Sequence, residues 1–402
     1  MARGDLGKGL MANGRQPIRG SEARAAEFEK PVRQKRIERG FSQKELAKLI
    51  GITRQALHSI ETGRYIPNTL VAIRLARTLG SRVEELFPCW DRIDLPLLSG
   101  PFPGVAGGRR IVLADVRGRL VPYPVERIEE GSGAFTAADA LLPGEGRGGG
   151  WTLLSSASAI QRSAFFLGCD PGIGLLVERL AAVSRDRLRW ISCASEEAAA
   201  ALRAGQTHLA GCHLPADEAR NNVVLAREAL REFGGMLIRF AQWEEGIALA
   251  PGNPAGIRSV EDLINPGLRF LNRDPGSGSR ALLDDLLRKR GIPEEAIRGY
   301  ETAAPSPVSA ARAVRLGVAD ASLTNRACAE AQGVAFLPLG TSEFDWIVPQ
   351  DQTEHPTVAL LLDLLSDRRL RTEFAALPGY DVSRIGTVAA RFEKERDRSN
   401  KG

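Results

Sequence analysis

The chain has 402 residues, 43% hydrophobic and 26% charged, which excludes a disordered or fibrous protein and gives room for two or three packed domains. No apolar run reaches the length of a membrane span, and the charged opening residues lack an apolar core, so neither a membrane partner nor a secretory signal is expected. The net charge of +5 is uneven: residues 1–88 carry +8 and the remainder −3, the balance of a polyanion-binding head on a mildly acidic body.

Residues 1–27 are rich in Gly, Arg and Ala without periodicity and predict a disordered arm; either Met1 or Met11 can open the chain. Phe28 to Arg39 reads as a first helix, with Val32 and Ile37 as core candidates and Gly40 as its stop. Ser42 with Glu45 forms a capping-box pattern ahead of a second helix whose stripe is Leu46, Ala47 and Ile50. Gly51 sits where the chain needs positive φ to turn. Thr53 caps a third helix with Ala56, Leu57 and Ile60 inward. Leu70, Ile73, Leu75, Ala76 and Leu79 carry a fourth helix, and Val83 to Phe87 a short fifth.

The ordered set SQKELA, Gly51, SIETGR and the Leu-Ala-rich run after Pro67 resembles the DNA-binding domain of the Xre/phage-repressor family. The match sets the head at residues 28–88. The resemblance implies that the start of the third helix reads base edges through Arg54, Gln55 and Ser59, behind the cap Thr53. Arg suits the O6/N7 pair of guanine and Gln the N6/N7 pair of adenine, each through two parallel hydrogen bonds. It also implies phosphate contacts from Gln43, at the N-terminus of the second helix, and from Arg64 and Asn68 after the third. His58 either touches the DNA backbone or faces solvent. The implied partner is a double-stranded operator, bound by a homodimer with half-sites about one helical turn apart.

Residues 89–150 shift to Pro, Gly and short apolar runs. Arg110 to Ala114 and Arg119 to Tyr123 predict two strands joined at Arg117-Gly118, and Gly144 to Gly150 a flexible linker. This small β module is expected to be a spacer or a dimerisation piece.

From Trp151 strands and helices alternate: AFFLGC, LRWISC, THLAGCHL, LRFLN and ADASLT as strands, each followed by a helix. GMLIRFAQWEEGIALAPG reads as two long strands without a helix between them, and VAFLPL and EFDWIVP as two more. His355 to Ser366 and Asp367 to Leu377 predict closing helices. Two βα blocks with crossing strands between them predict a hinged, two-lobed clamp. Lobe 1 is set at about 151–243 plus 345–390 and lobe 2 at about 244–344, with a charged tail over 391–402. The motifs CDPGIG, AGCHL, WEEGIALAPGNP, LNRDPGSGSR and ALPGYD resemble the cytoplasmic binding-protein-like domain of molybdate-linked regulators, a domain also fused to molybdopterin biosynthesis proteins. The architecture expected is therefore multidomain: an all-α five-helix helix-turn-helix head, a small β linker module, and a two-lobed α/β type 2 periplasmic-binding-protein fold.

In such a fold ligands meet helix N-termini at the carboxyl ends of strands, between the lobes. Three segments qualify. Cys169, Asp170 and Gly172 end the first strand and open a helix. Ser195 and Glu196 open the next. Arg273, Ser277, Gly278, Ser279 and Arg280 do the same in lobe 2, where glycines admit an anion to the backbone, hydroxyls donate, and arginine supplies charge. Thr324, with Asn325, ends a later strand. Asp170 cuts against a bare oxyanion: it is either a helix cap or a partner for a ligand carrying donors, as a pterin or an amine does.

The five cysteines are odd in number and form no CxxC pair, which fits reduced thiols in the cytoplasm. Cys212-His213 near Cys193 is read as a buried strand cysteine and a rim histidine rather than a metal site. A self-cleaving repressor needs a Ser/Lys pair and a pyridoxal-phosphate regulator a Schiff-base lysine, but no lysine lies between Lys48 and Lys289. Neither an enzyme nor a cofactor is expected. The predicted function is a one-component transcription regulator whose clamp senses molybdate, tungstate or a molybdenum-cofactor-related molecule. The alternatives are a binding module serving molybdopterin synthesis and a regulator sensing an unrelated organic molecule.

Overall fold

The structure is a computed structural model that describes residues 32–62, 65, 67–87, 110–128, 136–142, 152–215 and 221–395. The expected arm, Arg64, Cys89, the Gly144 to Gly150 linker and the last residues of the tail lie outside these. The chain divides into two compact units, Met1–Asp91 and Arg92–Gly402.

Among the described residues of the first unit five helices follow one another: α1 (32–38), α2 (Gln43–Ile50), α3 (Arg54–Glu61), α4 (Thr69–Leu79) and α5 (Val83–Leu86). Side chains set the boundaries. Ser42 and Glu45 close the capping box of α2, and Gly51 stops it at φ 76°. Thr53 caps α3 by accepting the Ala56 N–H, and Asn68 caps α4 by accepting that of Val71. Val32, Leu46, Ile50, Leu57, Ile60, Leu75 and Leu79 make one core, each fully buried aliphatic side chain contributing roughly 1.5–3 kcal/mol. Three expected core residues face out: Ile37 is 59% exposed, Leu70 57% and Ile73 38%. On α1 the inward position falls to Arg36 instead, because an ion pair, not an apolar contact, fills the space beside α3.

The second unit opens with the predicted hairpin, β1 (Arg110–Val116) and β2 (Arg119–Pro124), joined by Arg117 and Gly118, both at positive φ. The short strands β3 (Ala140–Leu141) and β4 (Thr152–Leu153) extend it to a sheet of order β2-β1-β3-β4. This sheet is not a separate spacer. One face of β1, through Val112, Ala114 and Val116, joins a core containing Phe165, Leu167 and Ile191; the other, through Ile111 and Leu113, packs on Ile160 of α6 (Ala157–Gln161). A two-stranded hairpin cannot bury both faces alone, so its stability comes from the larger body.

That body contains β5 (Ser163–Leu167), α7 (Ile173–Val183), β6 (Arg187–Ile191), α8 (Ser195–Arg203), β7 (Leu209–Cys212) and α9 (Asn222–Ala229), then the 15-residue β8 (Gly235–Leu249). Next come β9 (Phe270–Arg273), α10 (Gly278–Arg290), β10 (Ala303–Ala304), α11 (Pro307–Arg315), β11 (Ala321–Asn325), α12 (Arg326–Ala331) and the 15-residue β12 (Ala335–Pro349). The helices α13 (Pro356–Leu364) and α14 (Arg368–Ala375) and the strands β13 (Tyr380–Asp381) and β14 (Val388–Phe392) close the chain. Each pair of strands predicted around the crossovers is in fact one continuous strand, because Gln242 and Gly340 pair within the ladder and the irregularities, at Phe240 and Leu339, are register shifts rather than turns.

β8 and β12 run antiparallel along their length and unite the lobes in one sheet of order β10-β9-β11-β8-β12-β7-β5-β6. Parallel strands β5, β6 and β7 form lobe 1, and parallel β9, β10 and β11 form lobe 2. The carboxyl ends of both sets, where helices begin, meet around the crossing strands. Among the described residues no helix is long and apolar enough to cross a membrane.

Candidate functional sites

The first site lies on the head. Arg54, Gln55 and His58 are exposed along α3, and Ser59 is half-buried. Between α2 and α3 is a groove of about 600 Å³ lined by Arg33, Lys44, Arg54 and His58 among others. At its floor Glu61, 1% exposed, takes hydrogen bonds from Arg36 Nε (2.5 Å) and Gln43 Nε2 (2.8 Å). Gln43 also lies 3.5 Å from His58 Nδ1. A buried carboxylate thus anchors Gln43 at the α2 N-terminus, with its amide held before any partner arrives. Asn68 gives its carbonyl oxygen to the α4 cap, so its amide group is what remains for a phosphate.

The second site lies between the lobes, where buried charged side chains are concentrated. Asp170, beyond β5, is 0% exposed. Its Oδ1 accepts from the Tyr380 hydroxyl (2.5 Å) and the Gly172 N–H (2.8 Å), while Oδ2 has no partner. Burial pushes its carboxyl up to about 6, against the pull of Tyr380, Gly172 and His213. Gly172 has no room for a side chain, since a Cβ there would lie 2.5 Å from the Phe374 ring.

His213 follows β7 and is fully enclosed. Its Nδ1 lies 3.2 Å from Oε1 of Glu245, on the crossing strand β8. Burial works to lower the imidazole, but Cys169 and Glu245 override it and hold the ring up at about 10. Glu245 is 2% exposed and fully engaged: Oε1 accepts from Trp243 Nε1 (2.6 Å) and Oε2 from Ser279 Oγ (2.7 Å). Although burial opposes it, His213 heads the contacts that hold its carboxyl below the ordinary range.

In lobe 2, Arg273 ends β9 at 1% exposure; its Nε donates to the Ala304 carbonyl (3.0 Å) and its Nη1 has no partner. Asn325 ends the neighbouring β11 and caps α12 through Oδ1, leaving Nδ2 unpartnered. The Cys328 thiol ties the cluster together. Burial first, then Asp170, pushes it up to about 12, with Arg273 and Glu245 acting on the same sulfur.

A family model described as a helix-turn-helix matches residues 32–86, and one described as a PBP superfamily domain matches residues 177–366. An uncharacterized HTH-type transcriptional regulator of Methanothermobacter thermautotrophicus is 44% identical over 57 residues, 14% of this chain and 83% of that protein. The chain belongs to the helix-turn-helix transcriptional regulators. The regulator's C-terminal unit is similar to the uncharacterized protein YvgK of Bacillus subtilis, 26% identical over 185 residues, 46% of this chain; the chain spans 59% of YvgK's length. Among solved structures, the sulfate-binding protein SubI from Mycobacterium tuberculosis is 15% identical with a TM-score of 0.40, over 55% of this chain and 87% of that one.

Several polar residues expected to face a ligand in the regulator are already engaged. Ser195 Oγ exchanges hydrogen bonds with the backbone of His213. Ser277 caps α10, and Thr324 donates to the Pro307 carbonyl. Arg280 lies over the Tyr300 ring at 4.5 Å and pairs with Glu301 at 3.6 Å. Glu196 is exposed, with its carboxylate close to Gly276 of lobe 2. Gly278 has no Cβ because one would lie 1.9 Å from the His213 carbonyl oxygen. His213 is no rim residue, and among the described residues no group of three His, Cys, Asp or Glu is placed to hold a metal. Four cysteines, Cys169, Cys193, Cys212 and Cys328, are free and buried.

Sequence reasoning missed Arg36, Glu61, Trp243, Glu245 and Tyr380. A signal existed for Glu245: a carboxylate inside an apolar 15-residue strand is costly unless paired.

Proposed function

We propose that the chain is a one-component regulator in which a small anion-bearing effector binds between the lobes and changes how a homodimer's heads grip an operator. On the head, the exposed row Arg54, Gln55 and His58 is the reading surface, and Gln43, with Asn68, positions it on phosphate. In the C-terminal unit the carrying observation is a group of buried polar atoms without hydrogen-bond partners: Asp170 Oδ2 and the ring nitrogens of His213 in lobe 1, Arg273 Nη1 and Asn325 Nδ2 in lobe 2. Buried polar groups are rarely left unsatisfied, and such groups at the carboxyl ends of strands support a ligand site. Cys169, Gly172, Ser195, Ser277, Gly278, Ser279 and Thr324 shape this site, with Glu196 and Arg280 at its edge.

The resemblance to molybdate-linked regulators makes molybdate, tungstate and molybdenum-cofactor-related molecules the first effectors to try. The proposed role is binding and signalling in the cytoplasm, without catalysis or a resident cofactor. For the effector to act, it must bind the closed clamp better than the open one.

The test pairs two measurements. Thermal shift of the full chain identifies an effector, which at 100 times its Kd stabilises by about 2.7 kcal/mol. Operator binding at fixed salt then changes by roughly 5–150-fold when that effector is added. An effector that stabilises the clamp but leaves operator affinity and footprint unchanged would sink the proposal.

A further inference from the structure

The helix start that looked best suited to an anion is already filled. Ser279 Oγ at the N-terminus of α10 bonds Glu245 Oε2, and Glu245 Oε1 faces His213. The protein's own carboxylate therefore sits where the sequence placed the ligand's charge, and Gly278 against the His213 carbonyl leaves no space between. A ligand has to use what remains.

What remains is two-sided. Lobe 2 offers donors: the free Nη1 of Arg273 and the free Nδ2 of Asn325, at the ends of adjacent parallel strands. Lobe 1 offers an acceptor, the free Oδ2 of Asp170, whose other oxygen is fixed by Tyr380 and Gly172; the imidazole of His213, with Nδ1 towards Glu245 and Nε2 unpartnered, is the cationic group that acts on this carboxylate. All four side chains are at most 2% exposed, so water does not substitute freely for the missing partners. We propose that the effector is two-ended: it accepts hydrogen bonds from Arg273 and Asn325 and donates one to Asp170, and a fully deprotonated oxyanion is rejected at neutral pH. This rests on the reading of the interlobe region as the effector site.

The physical reason is asymmetry. An ionised Asp170 facing an anion with no hydrogen meets like charge and lone pair against lone pair in a dry site, which is how binding sites discriminate against a wrong partner. A ligand bearing a proton turns the same contact into a charge-assisted hydrogen bond. Two sources share this chemistry: an oxyanion that keeps a hydrogen at working pH, and an organic acid carrying an N–H or O–H donor. Of the effectors put forward above, a cofactor-related molecule has both ends and bare molybdate does not.

The experiment is calorimetric titration of the full chain at pH 8 with inorganic phosphate, sulfate, molybdate and glycine. Phosphate stands for the hydrogen-bearing oxyanion and glycine for the amino-carboxylate. Wild type is expected to favour at least one of these two over sulfate and molybdate by roughly 100-fold or more, as sites built around a specific hydrogen bond do. Asp170→Asn replaces the acceptor with a donor in the same shape, and should reverse the preference towards sulfate and molybdate. Wild type at pH 5, where Asp170 carries a proton, should move the same way. A second variant, Arg273→Gln, should weaken every anion at least ~10-fold without changing their order.

Equal binding of sulfate and phosphate by wild type, an unchanged order in Asp170→Asn, or no binding of any probe by either protein overturns the proposal. Failure of the broader reading is seen elsewhere, as operator affinity that ignores a bound effector.

Discussion

Arg54 and Gln55 stand exposed at the start of one short helix, while Asp170, Glu245, Arg273 and Asn325 are at most 2% exposed and come from four separate segments, three strands and the turn beyond β5. The head meets its partner with side chains that cost little to leave in water. The lobes bury theirs, so each polar atom needs a partner from a distant segment. A surface that reads a polymer must be open before binding; a site that senses a small molecule gains by enclosing it. The same contrast applies to what supports each site. In the head the buried pair Arg36–Glu61 underlies α3, whereas in the C-terminal unit buried charges form a network joined through β8.

The largest expected effect tests whether the buried network makes the C-terminal unit the acid-sensitive half. His208 is fully buried, with Nδ1 accepting the Phe165 N–H (3.1 Å) and Nε2 at 2.9 Å from the Asp115 carbonyl. Burial first, then His355 and Arg117, lower its imidazole to about 3. The unfolded chain therefore takes up a proton near pH 6.5 and the folded one does not. Stability is intact above pH 6.5 and is lost as pH falls towards 3, by up to about 5 kcal/mol. His208→Gln, which can keep both hydrogen bonds without titrating, should flatten this slope in pH-dependent denaturation. An unchanged slope would remove His208 from the account.

The next effect asks the same of the head. Removing one partner of a buried ion pair costs about 3–5 kcal/mol. Arg36→Ala or Glu61→Ala should melt the head first in calorimetry and abolish operator binding, while phosphate or glycine titrations of the C-terminal unit stay as in wild type. Loss of both activities together would mean that the two units do not fold independently.

The contrast also explains what could be read from the chain. In the head the signals are local: Ser42 with Glu45, Gly51 at positive φ and Thr53 as a cap each act within four residues, so helix limits and the exposed face of α3 are legible in order. Arg36–Glu61 was not, because a 25-residue separation leaves no periodic trace, and Ile37, one position away, satisfied the same apolar expectation. In the C-terminal unit the βα alternation revealed the strands and helix starts, including Asp170 and Arg273. How polar groups are satisfied depends on pairing between distant segments: Ser279 with Glu245, Asp170 with Tyr380, 210 residues apart. No local pattern encodes such contacts, so engaged hydroxyls such as those of Ser277 and Thr324 look the same in sequence as free ones.

A third test addresses enclosure itself. A Cβ on Gly278 would press on the His213 carbonyl from 1.9 Å, and backbone cannot yield as a flexible side chain does. Gly278→Ala should cost up to about 3 kcal/mol in the closed form. The lobes can avoid that strain by opening, so effector affinity should fall more than melting temperature does. Small-angle scattering should report a wider clamp. A variant as closed and as tightly binding as wild type would show that the α10 start is not pressed against lobe 1 in solution.

The smallest effect concerns the open surface, and its value is in what should not change. Arg54 is exposed and follows the Thr53 cap, so Arg54→Ala removes little packing and should shift stability by less than about 0.5 kcal/mol. Its cost is expected in recognition: about 1–3 kcal/mol of operator affinity, with one base preference relaxed. Thr53→Ala is the matched control, because losing the cap costs about 1 kcal/mol of helix stability without altering which bases are preferred. If Arg54→Ala instead weakens all sequences equally and lowers the salt dependence, the residue holds phosphate rather than a base. The reading surface then shifts along α3 towards Gln55 and Ser59, and the head would be less exposed in its recognition than its solvent-facing side chains suggest.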